Sequence, residues 1–216
     1  MNDKKEIQRR RKLKYFIKAA QEIIQKEGIE KVSIRKVADL AGYNSATLYN
    51  YFDNLDHLLA FASMQYVENY SFELIKDLKG CKDEYEIFLK EWSIFLDNAL
   101  EHPKAFMYIF FNEDTRAIKD MITEYYRLFP LIENEKEEIE FVKLLSNSDY
   151  RERSRICLER LYKYGYIKEN EIEILNELLV ALSFEYIHKA SLEPNFEKEK
   201  YINKFMKCIN YLIKHE

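Results

Sequence analysis

The chain has 216 residues, 47% of them hydrophobic, 15% aromatic and 33% charged, with a formal net charge of -4. It can bury a sizeable core, and its four glycines and three prolines set against abundant Lys, Glu, Leu and Ile favour helix nearly throughout, which argues against a β or collagenous fold and predicts an all-α protein. Cys81, Cys157 and Cys208 are odd in number and far apart, which speaks against a disulfide framework; the longest apolar run, around Leu178 to Leu182, is too short to span a bilayer. The expectation is a cytoplasmic protein with no membrane partner.

The charge is unevenly spread. Through Ala60 there are 12 Lys plus Arg against 8 Asp plus Glu, and of the totals of 34 and 38 this leaves 22 against 30 beyond it. The first part suits phosphates and the rest would be repelled by them. Lys4, Lys5, Arg9, Arg10, Arg11, Lys12 and Lys14 crowd the start of the first helix, where cations oppose the macrodipole, so the cluster makes better sense beside an anion such as a DNA backbone. Leu13, Phe16, Ile17, Ala20, Ile23 and Ile24 then draw the apolar stripe of this helix, and Gly28 ends it. The helix is expected to pack behind the next two as a three-helix domain, with Ile29, Val32 and Ile34 plugging its base.

From Ser33 to Asp56 the pattern is helix, turn, helix. Ser33 is a good N-cap, Val37, Ala38 and Ala41 share one face, and Gly42 sits where a helix reverses through a left-handed residue. Asn44 can cap a second helix with Leu48 and Phe52 pointing inward, while Asp53 and Asp56 suggest a capping box for the next. At about 100° per residue, Ala46 and Asn50 lie opposite Leu48, flanked by Ser45, Thr47, Tyr49 and Tyr51. A major groove admits one helix, and Ser, Thr and Asn can bond base edges or phosphates while an alanine methyl touches a thymine methyl.

The series Ile34, Val37, Ala38, Ala41, Gly42, Thr47, Leu48, Tyr49, Tyr51, Phe52 resembles the N-terminal DNA-binding domain of the TetR (tetracycline repressor) family of bacterial regulators, over roughly Lys12 to Ala60. The chain departs from the family pattern at Tyr43, where a Val is usual, and at Leu55, where a Lys often contacts a phosphate. His57 either substitutes for that Lys or is a solvated residue at the helix start. The resemblance implies a domain of three helices with Arg35 reaching a guanine. Candidate phosphate contacts are Arg9, Arg10, Arg11, Lys12, Ser33 and Tyr51; candidate base contacts are Arg35, Ser45, Ala46, Thr47, Tyr49 and Asn50, with Tyr49 either touching DNA or bracing its helix.

Beyond Asn54 one uninterrupted pattern, with Leu58, Leu59, Ala62, Tyr66 and Tyr70 on its apolar side, predicts a helix to Leu78; in the family it resembles, the fourth helix connects the two domains. Residues 1–53 are therefore assigned to the helix-turn-helix domain and 54–216 to a larger helical domain. Asp83 to Glu101 predicts another helix, ended by His102 and Pro103, and Pro103 opens a short one that is apolar almost all round. Further helices are expected over Thr115 to Phe129, near Phe141 to Leu145 and over Asp149 to Tyr164, with an acidic solvated stretch from Glu133 to Glu140.

The last two helices, Asn170 to Ser191 and Glu197 to Lys214, carry more apolar surface than a core needs, which predicts pairing with a second copy as a four-helix bundle through Leu179, Leu182, Tyr186, Ile202, Met206, Ile209 and Ile213. The family dimerises in this manner, and a two-fold dimer presents reading helices to half-sites about 34 to 36 Å apart, hence a palindrome-like operator of double-stranded DNA. The resemblance also implies a small-molecule effector pocket, for which Tyr66, Phe88, Trp92, Phe95, Phe106, Phe110 and Tyr125 are candidates and an apolar or aromatic effector is expected. No Gly-rich phosphate loop, nucleophile elbow or zinc-spaced Cys/His group is present, so no catalytic residue, metal ligand or cofactor is assigned. The alternative to a ligand-responsive repressor is a DNA-bound interaction protein whose helical domain takes a protein partner.

Overall fold

The computed structural model describes residues 3–111, 124–129, 150–193 and 195–213. All regular structure among them is helical: α1 (Asp3–Glu27), α2 (Ile34–Leu40), α3 (Ser45–Leu48), α4 (Leu55–Leu78), α5 (Glu84–Glu101), α6 (Pro103–Phe110), α7 (Tyr150–Lys163), α8 (Ile172–Leu192) and α9 (Lys198–Ile213), with 3-10 turns at Ile29–Lys31 and Glu169–Glu171 and a further helical stretch at 124–128. The acidic stretch 133–140, the helix expected near 141–145 and most of the one expected over 115–129 lie outside the described residues. Among the described residues no helix is long and apolar enough to cross a membrane.

The chain forms two compact units. The first takes the residues through Gln65 together with 124–129, and the second takes the remainder from Tyr66, with the division inside α4.

In the first unit α1 lays its predicted stripe inward: Leu13, Phe16, Ile17, Ala20, Ile23 and Ile24 are all buried. They meet Val37 and Ala38 of α2, Leu48 of α3, and Phe52, Leu58 and Phe61, each essentially inaccessible. Phe16 is the hub, its ring 5.2 Å from Tyr43, 5.6 Å from Tyr51 and 6.4 Å from Phe52. Burying such a ring is worth about 3 kcal/mol. Of the residues expected to plug the base only Val32 is buried, while Ile29 and Ile34 are half-buried. The N-cap of α4 is Asn54, whose Oδ1 accepts the His57 N–H at 2.8 Å, and not Asp53. Asp53 instead donates its backbone N–H to His57 Nδ1 at 3.3 Å.

The second unit is built around Phe95. Its ring lies 5.1 Å from Tyr150, 5.7 Å from Phe106, 5.8 Å from Tyr70, 5.9 Å from Phe110 and 6.0 Å from Trp92. α5 starts cleanly because the Asp83 carboxylate accepts the Glu86 N–H at 2.8 Å, and α6 starts at Pro103, whose missing N–H costs nothing there. α8 packs on α7, α6 and α5, and α9 packs on α5. A polar pair sits inside this core, Tyr150 Oη with Ser183 Oγ at 2.7 Å, and Ser183 also donates to the Val180 carbonyl at 2.9 Å.

Candidate nucleic-acid interface and effector cavity

α2 ends at a reversal that depends on glycine. Gly42 has φ +77°, its N–H donates to the Asp39 carbonyl at 3.2 Å, and the Tyr43 N–H reaches back to the Ala38 carbonyl at 2.8 Å. This is the double closure of a left-handed helix stop. Tyr43 then folds onto Phe16, with Lys12 Nζ 5.7 Å from its ring centroid, so the departure from Val fills space against α1. α3 starts at once: Asn44 Oδ1 accepts the Thr47 N–H at 2.8 Å and the Thr47 hydroxyl at 2.9 Å. Leu48, fully buried, fixes its rotation, and the chain leaves through tight closures from Asn50 to Thr47 at 3.2 Å and Tyr51 to Leu48 at 2.9 Å.

With that rotation fixed, Ala46, Tyr49 and Asn50 face outward and Ser45 is half-buried at the edge. Arg35 projects from the start of α2 with its side chain 89% exposed and, among the described residues, is tied only by a 3.9 Å ion pair to Asp39. The other candidates are more engaged. Thr47 spends its proton on Asn44, Ser33 Oγ caps α2 by accepting the Lys36 N–H at 3.3 Å, and Tyr51 is half-buried against Phe16. In the basic arm, Arg9 binds Glu124 at 2.8 Å and Arg10 binds Glu6 at 3.0 Å, while Glu6 also takes Arg127 at 2.9 Å. These pairs neutralise part of the arm; of the four cations assigned to phosphate, Arg11, which is exposed, and Lys12, which lies over the Tyr43 ring, make no ion pair among the described residues. His57 packs its ring 5.3 Å from Phe61 and 5.7 Å from Phe52 and accepts from Asp53, a bracing role rather than a solvated one.

The second unit contains a cavity of about 430 Å³, its open mouth included. α4 contributes Tyr70 and Leu74, α5 contributes Glu91, Trp92 and Phe95, and α7 contributes Tyr150, Arg153, Ser154 and Cys157. Burial raises the Tyr70 and Tyr150 phenols and the Cys157 thiol above their ordinary ranges, so all three are neutral walls. Glu91, 6% exposed, is held by Arg160, whose Nε also lies 3.6 Å from Glu84.

The sequence agrees with a known family over one stretch. Residues 16–61 match the bacterial regulatory proteins of the tetR family, the span that holds the end of α1, the α2 and α3 corner and the start of α4. These residues resemble a TetR-type DNA-binding domain. No curated protein matches the sequence. Among solved structures, the fold is shared with RolR in complex with resorcinol (15% identity, 94% of this chain and 89% of that one, TM-score 0.59). It is shared too with Thermus thermophilus FadR in complex with lauroyl-CoA (14% identity, 90% and 91%, TM-score 0.58) and Bacillus subtilis FadR in complex with stearoyl-CoA (16% identity, 94% and 98%, TM-score 0.55).

The residues expected in the pocket separate into four groups. Trp92 and Phe95 line the cavity, and Phe110 lies 5.0 Å from the Arg153 guanidinium. Phe88 and Phe106 are completely buried core, and Tyr66 stacks on His102 at 4.0 Å instead of facing the cavity. Tyr125 belongs to the first unit, where it packs against Tyr126 and Phe129 at 5.7 and 4.9 Å. Aromatic content alone could not separate these roles. Arg153, Ser154 and Glu91 were missed, although a signal existed: Tyr150, Arg153, Ser154, Cys157, Leu158 and Leu161 recur at helical spacing, with an arginine inside an otherwise inward stripe.

The residues assigned to pairing also divide. Leu179, Tyr186, Ile202 and Ile209 are buried within the protomer's own core, and Leu182, Met206 and Ile213 are half-buried. The large apolar side chains that α8 and α9 leave exposed are others: Ile174, Leu178, Phe184, Leu192 and Tyr211. The shift arises because both helices are apolar over so much of their girth that periodicity does not choose the inward face.

Proposed function

We propose that the protein is a homodimeric, effector-responsive repressor that reads a palindrome-like operator with α3 in the major groove. The observation that carries this reading is the corner itself. A left-handed glycine stop, a side-chain cap and a buried Leu48 hold a short helix so that Ala46, Tyr49 and Asn50 face outward beside an exposed Arg35. Small polar groups on a fixed helix suit base edges, and Arg35 has the reach and planarity for a guanine. Arg11 and Lys12 supply backbone contacts that position the helix without selecting sequence.

A single reading helix covers few base pairs, so specific binding needs a second copy. Ile174, Leu178, Phe184 and Tyr211 give α8 and α9 an open apolar face for that copy, and Leu182, Met206 and Ile213 lie at its edge. The cavity in the second unit supports a small-molecule effector over a protein partner, and solved relatives in fold hold resorcinol and acyl-CoA ligands. The effector acts by binding the DNA-released state better, a coupling of about 1 to 3 kcal/mol in typical cases. A gel shift with the DNA immediately upstream of the protein's own gene tests the reading. A discrete, competitor-resistant complex of dimer stoichiometry is expected, and binding no tighter than to unrelated DNA would reject operator recognition there.

A further inference from the structure

Arg153 is a buried cation with unused donor capacity. It is 7% exposed, and its guanidinium carbon lies 5.0 Å from the Phe110 ring centroid and 5.8 Å from that of Tyr70. Its Nη2 donates to the Tyr70 hydroxyl at 3.4 Å, but Nη1 is buried without a hydrogen-bond partner, and so is the hydroxyl of the adjacent Ser154, 5% exposed. Both residues line the cavity. Among the described residues no carboxylate lies within ion-pair distance of Arg153; the acid in the same wall, Glu91, is taken by Arg160.

A buried guanidinium held by two ring faces and one phenol is incompletely satisfied, because ring faces stabilise the charge but accept none of its remaining N–H groups in line. We infer that the cavity takes a small monocarboxylate, its two oxygens accepting from Arg153 Nη1 and Ser154 Oγ and its apolar body lying among Trp92, Phe95 and Tyr150. This rests on the second unit being an effector domain and names the chemistry of the effector. Charge selects a monoanion, since Arg153 is one cation and Glu91 in the same wall is already neutralised by Arg160, leaving a single positive charge to be matched. Size selects a short or flat body, since the enclosed space is about 40 Å³ and reaches about 430 Å³ only when the open mouth is counted. A long acyl thioester meets neither condition, as it offers the guanidinium no carboxylate and needs more length.

The test is calorimetric titration of the full-length protein with benzoate, hexanoate, benzyl alcohol, benzylamine and hexanoyl-CoA, followed by release of the operator complex with the same five. Benzoate or hexanoate should bind about tenfold or more tightly than the alcohol and the amine, the difference a charge-assisted hydrogen bond makes. Arg153→Gln should erase that preference and Ser154→Ala should weaken the acids several-fold. The comparison among ligands on the unmodified protein stands even where a variant folds poorly. Equal binding of benzyl alcohol, or tighter binding of benzylamine or hexanoyl-CoA, overturns the carboxylate assignment while leaving an effector domain in place. So does an unchanged acid preference in a folded Arg153→Gln protein. No binding by any of the five, with the operator complex unmoved, overturns the assignment and counts against the effector domain too.

Discussion

Asn44→Ala isolates the part of the reading unit that is held by one side chain. Asn44 has the extended backbone of an N-cap (φ -89°, ψ 158°), and its Oδ1 accepts both the N–H and the hydroxyl of Thr47, at 2.8 and 2.9 Å. α3 spans only Ser45–Leu48, too short to persist on propensity, so its first turn depends on this cap. Losing an Asn cap costs about 1 kcal/mol, within a range of roughly 0.5 to 2. The freed Thr47 hydroxyl is half-exposed and can turn to water, so it adds little. The expected loss is therefore about 1 kcal/mol, which opens α3 about fivefold more often. Hydrogen exchange at the Phe52 amide, bonded to the Leu48 carbonyl at 3.2 Å, reports that opening. Faster exchange there, with unfolding in urea lowered by the same amount and Asn44→Asp restoring most of it, is the expected result. Exchange unchanged in Asn44→Ala, or an Asp variant no better than the Ala one, would refute the cap as the element that holds α3.

Asn50→Ala removes an exposed hydrogen-bonding group from the outward face and should relax operator preference by about 1 to 3 kcal/mol at the base it reads; a gel-shift competition showing unaltered selectivity would strike it from the contacts. Arg11→Gln should reduce the magnitude of the salt slope of DNA binding by about 0.9 per lost phosphate contact, whereas Arg9→Gln, already paired with Glu124, should change it less; the reverse order would contradict the assignment. Leu178→Glu, at a position 45% exposed, should leave the circular dichroism intact and give monomers by light scattering, and a persistent dimer would rule out this face. Burial holds the His102 imidazole pKa below its ordinary value, so the unfolded chain binds the proton more readily. The stability from keeping it neutral is complete above about pH 6.5 and is lost as pH falls below that. His102→Phe should flatten this part of the melting-temperature profile, and an identical acid-side slope would show that other groups set it.

The corner was legible because each of its residues has one local job. Ser33, Gly42, Asn44 and Leu48 act through their own turn, so their types and spacing state the geometry directly, and they behave as caps, stop and anchor in the structure. The basic arm was less legible, since Arg9 meets a partner 115 positions away, which no local pattern announces. The same limit applies to the cavity. Phe88 and Trp92 share a helix face, yet one is filled core and the other a wall, because the difference lies in what α7 brings against them. Tyr125 shows the limit at domain scale, since a chain segment can return to the first unit after the second has begun.

Arg153 also bears on how an effector of modest size could control DNA binding. Leaving a buried donor unsatisfied costs about 1 to 3 kcal/mol, and more when the group is charged. Nη1 carries that cost, since it has no partner among the described residues. A carboxylate that satisfies it recovers the amount without first displacing an internal ion pair, and its favourable energy concentrates at one guanidinium on α7 instead of spreading over the ring contacts. The typical coupling between effector and DNA, about 1 to 3 kcal/mol, is of the same size. One charge-assisted contact would therefore be enough to operate the proposed switch, provided that the two states differ in whether Nη1 and Ser154 can be reached together. A neutral ligand of the same shape would fill the cavity without that term. It should bind and yet release DNA poorly, which separates occupancy from induction in a single titration of the operator complex.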